Sequence, residues 1–214
     1  MGWGFFTNFF NKKAVESLPE KPKVMLTREK FIQLTGVVID NFESGYYHPD
    51  MALKMNPSDQ KLLAASGETM FGLDRKAGAQ LAMYPEWKMF WDLIDKADAR
   101  HTWKHYYLGG ALNFRLKELA SKIMYQWFNY LAAKYLKGDA IDKIAADDRL
   151  IIHFSYASWN GQGWFQKFAN ALNSASGTKE QIFQKVIKAR TEASSTAIRN
   201  AGAKMLKLFE KMKL

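Results

Sequence analysis

From residue 76 onward the chain leaves almost no room for β-strands. Apolar residues recur there at helical spacing. The pattern breaks at Pro85, Gly109 with Gly110, Gly138, Gly161 with Gly163, and Gly177, residue types that punctuate helices. The spacing predicts helices over about 76–83, 86–97, 98–107, 111–136, 140–156, 163–173 and 178–212. Upstream, Thr27 stands where an N-cap belongs, and Phe31, Leu34, Val37, Val38 and Phe42 continue at helical spacing as a first core helix. Residues 44–74 have little helical period and many Gly, Pro, Ser, Asn and Asp residues, so they read as an irregular lobe with a short hairpin. The expected fold is mainly α (α+β): a helical bundle with a small irregular or β lobe after the first core helix. No internal repeat is visible.

The chain has 214 residues, enough for one domain with appendages, and its 48% hydrophobic content excludes global disorder. Pro19 and Pro22 suggest a linker, which divides the chain into an aromatic leader at 1–26, a main domain at 27–176 and a basic C-terminal helix at 177–214 that packs on the domain or extends it. The leader "MGWGFFTNFFNKKAVESL" has no basic start and no small-residue cleavage site, so it makes a poor signal peptide. As a helix it would carry Trp3, Phe6 and Phe10 on one face, suited to a partner protein, the chain's own core or a membrane interface. No apolar run reaches the ~20 residues needed to cross a bilayer, so no transmembrane segment is expected.

With no cysteine there is no disulfide framework and no thiolate chemistry. His101 and His105 form the one i, i+4 histidine pair, without the glutamate of an H-E-x-x-H helix, so no metal and no cofactor are expected. The net charge of +10 suits an anionic partner: nucleic acid, a membrane surface or a bacterial wall. No helix-turn-helix, zinc-finger or RNA-recognition signature is present, so nucleic acid is not expected.

The stretch "NFESGYYHPD", residues 41–50, carries the most chemistry. Glu43 falls where the first helix ends, and the negative end of the helix dipole together with aromatic neighbours should raise its pKa. A carboxyl still protonated near neutral pH is the general acid that glycosidic cleavage requires. Gly45 allows a sharp turn, and Tyr46 and Tyr47 offer flat faces for sugar rings. The plainer reading is a helix-terminal glutamate facing water.

Two further stretches follow: "SGETMFGLDR" at 66–75 and "SYASWNGQGWFQKFANALN" at 155–173. With "FESGYY" they resemble, in order, the motifs of the phage and bacterial muramidases of glycoside hydrolase family 108, within the lysozyme and lytic transglycosylase superfamily. The likeness runs from about residue 30 to 175. It implies a lysozyme-like fold with a cleft between a helical lobe and the irregular lobe. It also implies cleavage of the β-1,4 bond between N-acetylmuramic acid and N-acetylglucosamine. Glu43 matches the family's catalytic glutamate, Thr69 and Gly72 match its second motif, and Asn160 with Gly161 matches its third. Tyr46, Tyr47, Thr69, Phe71, Trp159 and Asn160 are the implied substrate contacts.

The chain departs from the family at Ser44, since Glu-Ser is the form of goose-type lysozymes and lytic transglycosylases, and Tyr156 with Trp159-Asn160 also resembles a transglycosylase motif. Ala64, Ala65 and Ser66 replace a family Asp-Pro-Gly, which leaves the second carboxylate among Glu68, Asp50, Asp59 and Asp74; Glu68, beside Thr69, is the first choice. The long-helix aromatics Tyr125, Trp127, Phe128, Tyr130 and Tyr135 read as core, and His153 as a satisfied buried histidine.

The expected partner is therefore the glycan strand of peptidoglycan. The protein would act on the bacterial cell wall, delivered from a phage virion or from the host cytoplasm. The aromatic leader or basic tail could attach it to phage structural proteins. The alternatives are a lytic transglycosylase giving anhydromuramic products, an inactive lysozyme-like scaffold of the virion or wall, and membrane disruption by the terminal amphipathic segments.

Overall fold

In the computed structural model, residues 25–43, 46–47, 67–76, 78–97 and 110–214 are described, with the backbone alone at 46, 47 and 79. Residues 1–24, which hold the aromatic leader and most of its linker, together with Gly45, residues 48–66 and the helix expected at 98–107, lie outside them.

Thr27 caps the first helix, α1 (Arg28–Asn41): its side-chain oxygen accepts from the Lys30 backbone N–H at 3.2 Å. Helix α1 buries Phe31, Leu34 and Val38, spaced three or four residues apart along one face, with Ile39 beside them. A three-stranded antiparallel sheet follows, in the order β1 (Tyr46–Tyr47), β2 (Thr69–Met70), β3 (Leu73–Asp74). It is the small lobe expected after the first helix.

The 76–83 segment forms a 3-10 helix at Ala79–Met83 instead of an α-helix. The Gly78 N–H bonds the Asp74 carbonyl at 2.7 Å, and a Cβ on Gly78 would meet that carbonyl at 2.6 Å and the Trp87 ring at 2.7 Å. The chain therefore makes a tight turn there, against α2 (Pro85–Lys96), which begins with proline at its first position. The long helix is α3 (Gly110–Tyr135).

The stretch expected as a single helix at 140–156 is two. Asp147 ends α4 (Ala140–Ala145) and caps α5 (Asp148–Trp159) by accepting from the Arg149 N–H at 3.0 Å. Helix α6 (Gln162–Asn173) follows. The expected long terminal helix is likewise two, α7 (Lys179–Thr191) and α8 (Thr196–Met212), because Ser195 caps a new start through the Ile198 N–H. A side-chain oxygen that satisfies an orphan amide makes the break as favourable as continuation.

Helix α5, rather than the long α3, is the centre of the bundle. It packs on α1, α3, α4, α6 and α7 and buries Leu150, Ile151, Ile152, Phe154 and Ala157. A buried hydroxyl pair, Thr35 with Ser155 at 2.7 Å, joins it to α1. Among the α3 aromatics, Phe128 and Trp127 are buried as expected, but Tyr130 is 47% exposed and stacks on Trp127 with ring centres 5.1 Å apart. No helix of the described residues is long and apolar enough to cross a membrane.

Candidate active site

Glu43 lies two residues beyond the end of α1, just after the C-cap residue Phe42. The Phe42 N–H bonds the Val38 carbonyl at 2.8 Å and the Glu43 N–H bonds the Ile39 carbonyl at 3.3 Å, so the backbone is held at the negative end of the helix dipole. The side chain is half-buried and turns toward the β2–β3 hairpin, where its carboxyl packs against Gly72, a residue that the Trp159 ring also approaches.

The hairpin turns in two residues, Phe71 and Gly72, at φ 52° and 68°. Two successive positive φ angles are the signature of a type I′ turn, whose twist matches that of the flanking strands. For Phe71 this region is unfavourable, and two contacts hold it there: its side chain is 3% exposed, and its carbonyl accepts from Trp159 Nε1 at 2.9 Å. The register pairs Thr69 with Asp74, and the Thr69 hydroxyl donates to Asp74 Oδ1 at 2.6 Å. On the other side, Arg75 clamps the hairpin to α2 through Glu68 (2.7 Å) and both oxygens of Asp95 (2.8 and 2.7 Å), with its guanidinium 5.1 Å over Trp91.

Burial is the main force on the Glu43 carboxyl, raising its pKa from 4.5 to about 7; the negative field of Asp74 adds to the rise and Lys204 partly opposes it. Near neutral pH the group is poised between acid and carboxylate. Tyr156 is also pushed up, by burial first and then by the field of Glu43, while a hydrogen bond with Asn160 and the Arg190 cation pull it down. Its ring stacks on Phe42 at 4.7 Å.

A cleft of about 160 Å³ opens between the hairpin and the helices, lined among the described residues by Gly72 and Asp74 on one side and Trp127, Trp159 and Gln162 on the other. That volume is below the roughly 300–1,000 Å³ of typical ligand pockets. Glu43 is not itself a lining residue; it touches the wall at Gly72.

Of the residues expected from the sequence, Glu43, Thr69, Gly72 and Trp159 come together. Tyr46 and Tyr47 form β1, next to β2, but their side chains lie outside the description. Three others take different roles. Glu68, expected as the second carboxylate, is 6% exposed and bonded to Arg75, while Asp74 is the carboxylate whose field reaches Glu43. Alternation along a strand puts Glu68 and Thr69 on opposite faces, and a two-residue turn at Phe71-Gly72 sets Asp74 opposite Thr69, so the signal was present in the sequence. Phe71 is core. Asn160 bonds inward, its Oδ1 accepting from Arg190 Nη1 at 2.9 Å.

The basic residues Arg190 and Lys204 were invisible at the sequence level, because neither sits in a motif. Asp50 and Asp59 lie outside the described residues. Among those described, no group of three or more His, Asp or Glu side chains is placed to hold a metal ion. No protein-family model, curated protein or solved structure matches the chain.

Proposed function

We propose that this protein is a peptidoglycan-cleaving glycosidase with a lysozyme-like fold and with Glu43 as its general acid. The observation that carries the reading is a half-buried carboxyl raised to about 7, seated against Gly72 in the wall of a small cleft with a second carboxylate, Asp74, in its field. Protonated Glu43 gives its proton to the glycosidic oxygen as the C1–O bond breaks. Asp74, oriented by Thr69, then faces the oxocarbenium ion that forms, either stabilising it or taking a proton from the attacking water. The net charge of +10 favours an anionic wall polymer. A phage lysis or virion-associated role fits that substrate.

Tyr156 and Asn160, which act on each other electrostatically beside Glu43, favour a second reading, the lytic transglycosylase. There the sugar's own 6-hydroxyl closes onto C1, and ionised Glu43 takes the hydroxyl proton back.

The test is turbidity loss on purified peptidoglycan, followed by mass spectrometry of the products. The parent should clear the suspension and Glu43→Gln should not. Asp74→Asn should lose at least ~10²-fold in a hydrolase and much less in a transglycosylase. A reducing muramic acid end marks hydrolysis and an anhydro end marks the alternative. A parent that leaves peptidoglycan intact, or a Glu43→Gln variant as active as the parent, removes the proposal.

A further inference from the structure

The last two helices return to Glu43 from the far end of the chain. Lys204, exposed on α8, donates its ammonium to the Asn41 carbonyl at the end of α1 and stands 5.0 Å over the Phe42 ring. Asn41 and Phe42 are the two residues immediately before Glu43. Phe42 in turn stacks on Tyr156. Behind Tyr156, the fully buried Arg190 of α7 lies 4.9 Å from its ring and bonds Asn160. One cation therefore grips the backbone that carries Glu43, and a second supports the ring on which that backbone rests.

A lysine that satisfies an orphan carbonyl at a helix end is common, and by itself this would be an ordinary cap. Two features go beyond a cap. Helix α1 has no basic residue of its own in its last turn, so the cation comes from a helix more than 160 positions away in the chain. Its charge also reaches the carboxyl, where it opposes Asp74. The groups facing Glu43 are Asp74 from β3, Tyr156 from α5 and Lys204 from α8, with Arg190 of α7 behind the tyrosine.

We propose that Lys204 is a positioning residue for the Glu43 carboxyl: by holding Asn41 and Phe42 it fixes the end of α1 and makes the terminal helix a working part of the acid site. The consequence for catalysis rests on the glycosidase reading; the placement does not. The basic tail is then a component of the site, beyond any role in attachment.

The experiment is a titration of the full-length protein labelled with ¹³C at glutamate side-chain carboxyls, the Glu43 resonance being identified by its absence in Glu43→Gln. The Glu43 midpoint should rise by roughly half a unit in Lys204→Met, as expected on removing a partly solvated charge that favours the carboxylate. Lys204→Arg should restore it. Since Lys204 is exposed, both variants should fold, and thermal unfolding verifies this. In wall-clearing assays the alkaline limb of the pH profile should move by the same amount. A Glu43 midpoint in Lys204→Met equal to the parent's overturns the proposal even if the parent cleaves peptidoglycan. A shifted midpoint in a protein that does not cleave peptidoglycan upholds the placement and removes only the glycosidase reading.

Discussion

The Glu43 carboxyl occupies the space that any side chain at Gly72 would need: its Cδ is 2.9 Å from the point where a Cβ at position 72 would stand, and Trp159 Cδ1 is 2.7 Å from the same point. The glycine thus serves two ends. It permits the positive φ of the turn, and it leaves a recess for the carboxyl.

Replacing Gly72 by alanine should therefore displace Glu43 and strain the turn together. The strain at φ 68° costs about 1–2 kcal/mol, read as a lower denaturant midpoint. The displaced carboxyl should return toward the ordinary pKa of a solvated glutamate, and wall-clearing activity should drop at least ~10²-fold. An alanine variant with parental activity and an unchanged Glu43 titration would show that the recess does not matter.

Stability should carry the mark of Glu43 as well. Its folded pKa is raised from 4.5 to about 7, so between those values the folded state holds a proton that the unfolded chain has lost. Stability on this account is full below pH 4.5 and falls as pH rises, until about pH 7, above which the buried charge is a constant burden. Glu43→Gln should consequently be more stable than the parent at pH 8, by about 1–3 kcal/mol, with the advantage shrinking toward pH 4.5. Thermal unfolding of both proteins across this range measures it. A difference that does not vary with pH would mean that Glu43 is not buried as described.

His153 titrates in the opposite sense. It is fully buried, its Nε2 accepts from Arg190 Nε at 3.0 Å, and both burial and the neighbouring cation hold its pKa well below 6.5. The unfolded chain gains a proton as pH falls through 6.5 while the folded state does not, so stability should decline in acid by up to ~1.4 kcal/mol per pH unit. The accepting Nε2 places the proton on Nδ1, which has no partner. Imidazole ¹⁵N shifts at pH 5 should report a neutral ring of that tautomer. An imidazolium signal at pH 5 would contradict the Arg190–His153 bond.

Much of the architecture is legible in the sequence because it depends on near neighbours. Thr27 capping α1, Pro85 opening α2 and the glycine breaks act within one turn of their own residue. Where the expectation joined segments that the structure separates, at Asp147 and Ser195, a local cap was present and was outweighed by continuous periodicity. Position 43 was legible for the same reason, since the end of the apolar stripe marks the end of the helix.

The sequence alone determined the helical class, the place of the small lobe, the hairpin glycine and the acidic residue at the end of the first helix, all governed by bonds spanning a few residues. Only the tertiary structure decided that Phe71 and Asn160 are turned inward, that the Glu43 carboxyl is buried, and that Lys204 reaches back to Asn41. Those outcomes depend on burial and on electrostatic fields. Both are set by atoms brought together across the whole chain, so no local pattern could encode them.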